Sequence, residues 1–186
     1  MSTYLPNLLE SIDSTLISKE ELQARINELG KTISEDYAGK DLVVIGVLKG
    51  VAMFLGDIYK QISIPCELDF MAVSSYGAST RSSGVVRILK DLDESITGRH
   101  VLILEDIIDT GLTLSYLVRT LMERRPASLE ICTLLDKPAR RLEEVPVKYT
   151  GFTIPDKFVV GYGLDYRQKF RNLPFIGVLK PEVYTK

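Results

Sequence analysis

VLILEDIIDTGLT, residues 101–113, is the stretch whose reading decides the fold. Val101 to Leu104 is an unbroken β-prone apolar run of the kind buried in a parallel sheet. Glu105 and Asp106 follow at its C-terminal end, then Asp109, Thr110 and Gly111, with Thr113 opening an apolar helix pattern. A strand feeding through a glycine turn into a helix is one βα unit. Short acidic turns are common. Six such residues within nine positions (Glu105, Asp106, Asp109, Thr110, Gly111, Thr113) are not. Backbone amides of 109–113 at a helix N-terminus can cradle a dianionic phosphate, with the Thr110 and Thr113 hydroxyls as further donors. Glu105 and Asp106 would repel that phosphate. As pure acceptors they suit a vicinal diol, so the combination describes a ribose 5-phosphate.

Outward from this unit the chain alternates strands and helices. Ser18-Lys-Glu-Glu21 is a capping signal for an amphipathic helix from Lys19 to about Tyr37. Leu42–Leu48 reads as a buried strand, 51–61 as a helix, Cys66–Ser74 and 85–90 as strands, Thr113–Arg124 as a helix, and Leu129–Leu135 as a strand. Short segments near 148–152, 158–161 and 175–178 complete the pattern. This predicts an α/β fold, a twisted parallel sheet flanked by helices with right-handed crossovers and the ligand beyond the carboxyl ends of the strands. No repeat or linker is visible, so residues 1–186 are expected to form one domain. Its core is placed at about 36–150, and a small hood at the N-terminal segment and 151–186.

Composition narrows the class. The 186 residues are 45% hydrophobic, enough for one packed core, and the net charge of −2 lacks the basic surplus of a nucleic-acid binder. Cys66 and Cys132 lie in apolar segments and are expected as buried thiols in a reducing compartment. The N-terminus lacks a charged start, and no apolar run approaches the ~18 residues of a membrane helix. A cytoplasmic location follows as the expectation. His100, the single histidine, is expected at a surface turn in a structural role.

Other strand ends carry chemistry. Leu48-Lys49-Gly50 passes directly into a helix, where Gly50 permits close backbone approach and Lys49 can meet a phosphate. Asp136-Lys137-Pro138 ends a later strand, with Arg140 and Arg141 beyond, a pattern that also fits a solvated turn. Residues 74–84 are rich in Gly and Ser and form a candidate lid. Neither the G-x-x-x-x-G-K-[ST] nor the G-x-G-x-x-G pattern is present, which removes Walker-type and dinucleotide sites.

The run Glu105 to Thr113 resembles the phosphoribosyl-pyrophosphate signature of the type I phosphoribosyltransferases. Leu48-Lys49-Gly50, Ser75-Tyr76-Gly77, Leu135-Asp-Lys137 and PDKFVVGYGLDY (155–166) match the hypoxanthine-guanine branch of that family in order and spacing. The resemblance spans roughly Leu42 to Val178. It implies a pentosyl glycosyltransferase of purine salvage that uses Mg²⁺ to move 5-phosphoribosyl to N9 of hypoxanthine or guanine, giving IMP or GMP and pyrophosphate. Glu105, Asp106, Asp109, Thr110, Gly111, Leu112 and Thr113 would bind the phosphoribosyl group. Leu112 stands where the mammalian signature carries lysine. Asp109 would be the general base or acid at the purine N7. Lys137 would donate to the exocyclic oxygen at C6, where the amino group of adenine would present donors to a donor. Phe158 would stack on the base and Val159 would contact it through its backbone. Asp165 would lie at the purine and reach the Mg²⁺, for which Glu105 and Asp106 are the other expected ligands. Lys49, Gly50, Arg141 and Arg171 would hold pyrophosphate, and Ser75 and Tyr76 would belong to the lid, which would exclude water from a reactive sugar cation.

Some relatives of this fold are regulators that bind RNA or DNA. A regulator would show a basic face or an added DNA-binding segment, and neither is legible here. The expected partners are therefore phosphoribosyl pyrophosphate, hypoxanthine or guanine and their nucleotides, with no nucleic acid and no membrane. A homodimer or homotetramer is expected from the family.

Overall fold

A computed structural model describes residues 8–75 and 86–185. In chain order the elements are β1 (Ile12–Ile17), α1 (Lys19–Asp36), β2 (Leu42–Leu48), α2 (Ala52–Tyr59), β3 (Cys66–Ser75), β4 (Val86–Lys90), β5 (His100–Ile108), α3 (Leu112–Met122), β6 (Ser128–Asp136), β7 (Tyr149–Thr153), β8 (Val159–Val160), β9 (Ile176–Leu179) and the single-turn α4 (Pro181–Tyr184).

Six strands form the main sheet in the order β4-β3-β2-β5-β6-β7. All neighbours are parallel except the β3–β4 pair, an antiparallel edge, so the expected parallel sheet is a mostly parallel one. β2 and β5 lie at its centre and are buried on both faces, which is why LVVIGVL and VLIL are continuous apolar runs without polar alternation. The pleat nevertheless sorts them. Leu42, Val44, Leu102 and Leu104 point to one apolar cluster with Leu22, Ile26 and Ile33 of α1 and Phe54 and Ile58 of α2. Val43, Ile45, Val101 and Ile103 point to another with Leu114, Leu117 and Leu121 of α3.

The capping box is formed: Glu21 N–H donates to Ser18 Oγ, and Ser18 N–H donates to the Glu21 carboxylate at 2.8 Å. β5 runs longer than its apolar core, and its pairing with β6 extends to Ile108 and Asp136. Glu105 and Asp106 are therefore strand residues, not the start of a turn. His100 is likewise in β5, half-buried with Nδ1 2.7 Å from Ser128 Oγ, and not in a surface turn. Both cysteines are free, Cys132 buried and Cys66 half-buried.

A second, three-stranded antiparallel sheet, β1-β9-β8, forms the hood. It joins the N-terminal segment to the C-terminal one through the pairing of Ile12 with Leu179 and of Ile17 with Ile176. Val160, Phe170, Leu173 and Leu179 give it an apolar cluster of its own. Ile17, Val159, Leu164 and Ile176 join the main cluster, so the hood is packed onto the end of the large sheet.

Candidate active site

Strand order reverses between β2, which leads to β3 on one side, and β5, which leads to β6 on the other. Ligand crevices in open α/β sheets form beyond the carboxyl ends at such a point. A cavity of about 250 Å³ lies there, lined by Leu48, Lys49 and Gly50 from β2 and by Glu105 through Gly111 and Thr113 from β5 and the loop after it. Each wall depends on a glycine. A Cβ on Gly50 would stand 1.6 Å from Asp106 Oδ2, and a Cβ on Gly163 would stand 1.9 Å from the Gly50 carbonyl oxygen. The β2 loop is thus pinned between a carboxylate and the hood.

Gly111 has φ +82°, and a Cβ there would lie 2.3 Å from the Glu143 carbonyl oxygen. It caps α3 with no side-chain hydrogen bond, whereas α1 spends its cap on Ser18 and Glu21. The first-turn amides of α3 thus have no side-chain acceptor at the cap and face the cavity end, the arrangement that takes an anion. The loop is braced from behind, because Leu142 N–H and Glu143 N–H both donate to the Thr110 carbonyl at 2.9 and 3.1 Å. Leu112, the first residue of α3, does not line the cavity.

Glu105 and Asp106 are adjacent acids at the floor. Burial pushes the Glu105 carboxyl well above the usual range, with the neighbouring Asp106 charge adding to it. Burial also pushes Asp106 up to about 6, although the Ile107 amide and Arg171 act against the shift. Such a floor favours a ligand that brings hydroxyl donors or positive charge.

A second cavity of about 270 Å³ shares Asp106, Ile107 and Asp109 with the first and continues to Lys137, Arg140, Phe158, Val159 and Asp165. Asp109 connects the two. Its Oδ2 lies 3.5 Å from Arg140 NH1, and its Oδ1 is buried with no hydrogen-bond partner among the described residues. Lys137 is buried, with Nζ 2.8 Å from Asp156 Oδ1 and donating to the Lys157 carbonyl at 3.1 Å. Phe158 stands half-exposed at the rim, with the edge of Tyr166 against it.

The structure thus brings together Lys49, Gly50, Glu105, Asp106, Asp109, Thr110, Gly111 and Thr113 around one cavity and Lys137, Phe158, Val159 and Asp165 around the next. Asp165 is engaged by Arg171 NH2 at 2.7 Å and accepts from Gln168 N–H, and Arg171 NH1 donates to the Gly163 carbonyl. Arg141 is not brought in. It lines neither cavity, packs against Gly111 and is ion-paired with Asp136 at the end of β6. Of the two adjacent arginines it is Arg140 that reaches the site, and nothing in the sequence distinguishes them. Ile107 and Asp156 were also missed; Asp156 lies within the very motif that carried the resemblance. Tyr76 lies outside the described residues, and Ser75 is described only as the last residue of β3. Among the described residues no group of three His, Cys, Asp or Glu side chains stands ready for a metal ion.

Residues 16–167 match the phosphoribosyl transferase domain family. The chain is 55% identical over 181 residues to the hypoxanthine-guanine phosphoribosyltransferase of Mycobacterium avium, covering 94% of this chain and 89% of that protein. It is 54% identical over 173 residues to the Bacillus subtilis protein of the same name, covering 93% and 96%. The crystal structure of a hypoxanthine phosphoribosyltransferase from Staphylococcus aureus superposes with a TM-score of 0.94 at 50% identity, covering 97% of this chain and 98% of that one.

Proposed function

The chain belongs to the hypoxanthine-guanine phosphoribosyltransferases, and from that premise we propose that its two joined cavities transfer 5-phosphoribosyl from phosphoribosyl pyrophosphate to N9 of hypoxanthine or guanine. The observation that carries this reading is Asp109 Oδ1, a buried acceptor without a hydrogen-bond partner among the described residues, set at the junction of a phosphate-type cavity and one lined by Lys137. The sugar phosphate sits on the amides of 110–113 and its ribose hydroxyls donate toward Glu105 and Asp106. Lys49 and Gly50 hold the pyrophosphate, with Arg171 positioned through Asp165.

The base enters between Ile107 and Phe158, which border the second cavity together. Lys137 has two donors engaged, by Asp156 and by the Lys157 carbonyl, and the third is left for the oxygen at C6. Adenine has donors at that position and would leave the buried ammonium unpaired. As N9 forms its bond to C1 of the ribose and the bond to pyrophosphate breaks, Asp109 takes or holds the proton at N7. IMP or GMP and pyrophosphate leave.

Mg²⁺ fits the chemistry of the donor set, since carboxylate oxygens are its usual protein ligands. Glu105 and Asp106, whose raised pKa values mark a site short of positive charge, would hold it with Asp165, and substrate oxygens would complete its shell. When bound it would neutralise the pyrophosphate leaving group. No helix among the described residues is long and apolar enough to cross a membrane. We take the protein as a single-domain cytoplasmic enzyme acting as a homodimer or homotetramer, with Ser75 and Tyr76 in a lid.

The test of the proton role is Asp109→Asn. Phosphoribosyl pyrophosphate binding should persist within a fewfold by calorimetry while turnover falls by about 10²- to 10⁴-fold, the range for general acid–base catalysis. A variant that keeps most of its turnover removes Asp109 from that role.

A further inference from the structure

Phe158 is a bulky apolar ring left 38% exposed at the rim of the second cavity. A ring in that situation loses rotamer freedom when a base stacks on it, unless something already holds its plane. Tyr184 does so. Its ring stacks on Phe158 with centroids 4.8 Å apart and planes 19° from parallel. Tyr166 closes the edge at 5.7 Å and 89°. Tyr184 does not line the cavity that holds Ile107, Asp109 and Val159. It lines an adjoining hollow of about 470 Å³ with Pro181 and Leu179, which meets that cavity at Lys137, Arg140, Lys157 and Phe158. One face of Phe158 is therefore covered by a tyrosine that is absent from the lining of the Ile107 cavity.

The support is anchored to the backbone of the residue it supports. Leu179 N–H donates to the Phe158 carbonyl at 2.9 Å, and two residues later Pro181 starts the turn that presents Tyr184. Val183 N–H and Thr185 N–H donate back to Lys180 and Pro181, both at 3.0 Å, which closes that turn.

We propose that Tyr184 is a positioning residue for the acceptor base: it fixes the plane of Phe158 from behind, so the base, Phe158 and Tyr184 form a three-ring stack and the C-terminal turn is part of the purine site. This rests on the reading of Phe158 as the stacking residue, and the experiment separates the two. Steady-state KM values for hypoxanthine and for phosphoribosyl pyrophosphate are compared for Phe158→Ala, Tyr184→Ala, Tyr184→Leu and Tyr184→Phe. Tyr184→Ala and Tyr184→Leu should raise the hypoxanthine KM by about three- to tenfold, the range for one aromatic pair. The phosphoribosyl pyrophosphate KM should stay unchanged, and Tyr184→Phe should restore the normal value. Tyr184→Leu keeps apolar bulk without a ring, so a normal value there shows that packing alone suffices and overturns the proposal. So does a lowered hypoxanthine KM in Tyr184→Ala, which would mean that the tyrosine competes with the base. If Phe158→Ala leaves the hypoxanthine KM unchanged, the stacking role of Phe158 fails and the proposal fails with it. If Phe158→Ala raises it and Tyr184→Ala does not, only the proposal fails.

Discussion

At the scale of single residues, Glu105 and Asp106 cost the substrate-free protein stability. Two neighbouring carboxyls are buried at the end of a central strand, and among the described residues no cation forms an ion pair with either. Because the folded pKa of Asp106, about 6, is above its ordinary value of 3.8, the folded state binds more protons than the unfolded state between these values. The contribution of this group to stability is therefore full below about pH 4 and is lost as pH rises through 6. At about 1.4 kcal/mol per pK unit the ceiling is roughly 3 kcal/mol. Asp106→Asn should accordingly raise the denaturant midpoint of the substrate-free protein at pH 7.5 while abolishing turnover, and its gain should shrink toward pH 5. An unchanged or lowered midpoint at pH 7.5 would contradict the strain assigned to this floor. The identity of these acids was legible in the sequence because three carboxylates beside a glycine turn are chemically conspicuous. Their setting was not. Glu105 and Asp106 read as residues after a strand, since the apolar run stops at Leu104, whereas hydrogen bonding to β6 carries β5 on to Ile108.

At the scale of elements, the loop between β5 and α3 is held by the segment after β6. Arg141 makes that hold electrostatic, because its guanidinium pairs with Asp136 with both side chains largely shielded from water. Removing one partner of such a pair leaves the other charge buried. Arg141→Ala should therefore destabilise the protein by on the order of 3 kcal/mol, read by chemical denaturation. Inhibition by pyrophosphate should stay nearly unchanged in conditions where the variant is folded. A large loss of pyrophosphate affinity at normal stability would return Arg141 to the leaving-group site. Gly111→Ala acts on the same loop. It imposes a side chain at φ +82° and 2.3 Å from the Glu143 carbonyl, so the phosphoribosyl pyrophosphate KM should rise at least tenfold, read from initial rates. An unaltered KM would mean that the loop tolerates rearrangement.

The same elements show what sequence patterns carry and what they omit. The helices and β2 were legible to within two residues, because full burial and capping are local signals, whereas β5 runs four residues past its apolar run. β1 was not, since IDSTLI alternates weakly and becomes a strand only by pairing with β9, about 160 residues away. The antiparallel direction of β4 was equally invisible, because strand composition does not encode direction.

At the scale of the whole molecule, the two cavities draw on different sheets. The first lies at the switch point between β2 and β5, and the second is lined by Phe158, Val159, Leu164 and Asp165 of the hood, with Lys137 reaching across from the end of β6. Gly163 against Gly50 and the Arg171–Asp165 pair join the halves. This division explains why the phosphate loop was legible from a contiguous stretch while the base site needed the family resemblance: its members are scattered over 60 residues and meet only through the hood. The assembled site favours a base with an acceptor opposite the Lys137 ammonium.

Initial rates with hypoxanthine, guanine, xanthine and adenine, under identical phosphoribosyl pyrophosphate and Mg²⁺, test this account most directly. Hypoxanthine or guanine should turn over with kcat/KM at least about 100-fold above adenine, the penalty for leaving a buried donor unpaired. Adenine turning over as well as either oxopurine would contradict the assignment of Lys137 and with it the proposed function.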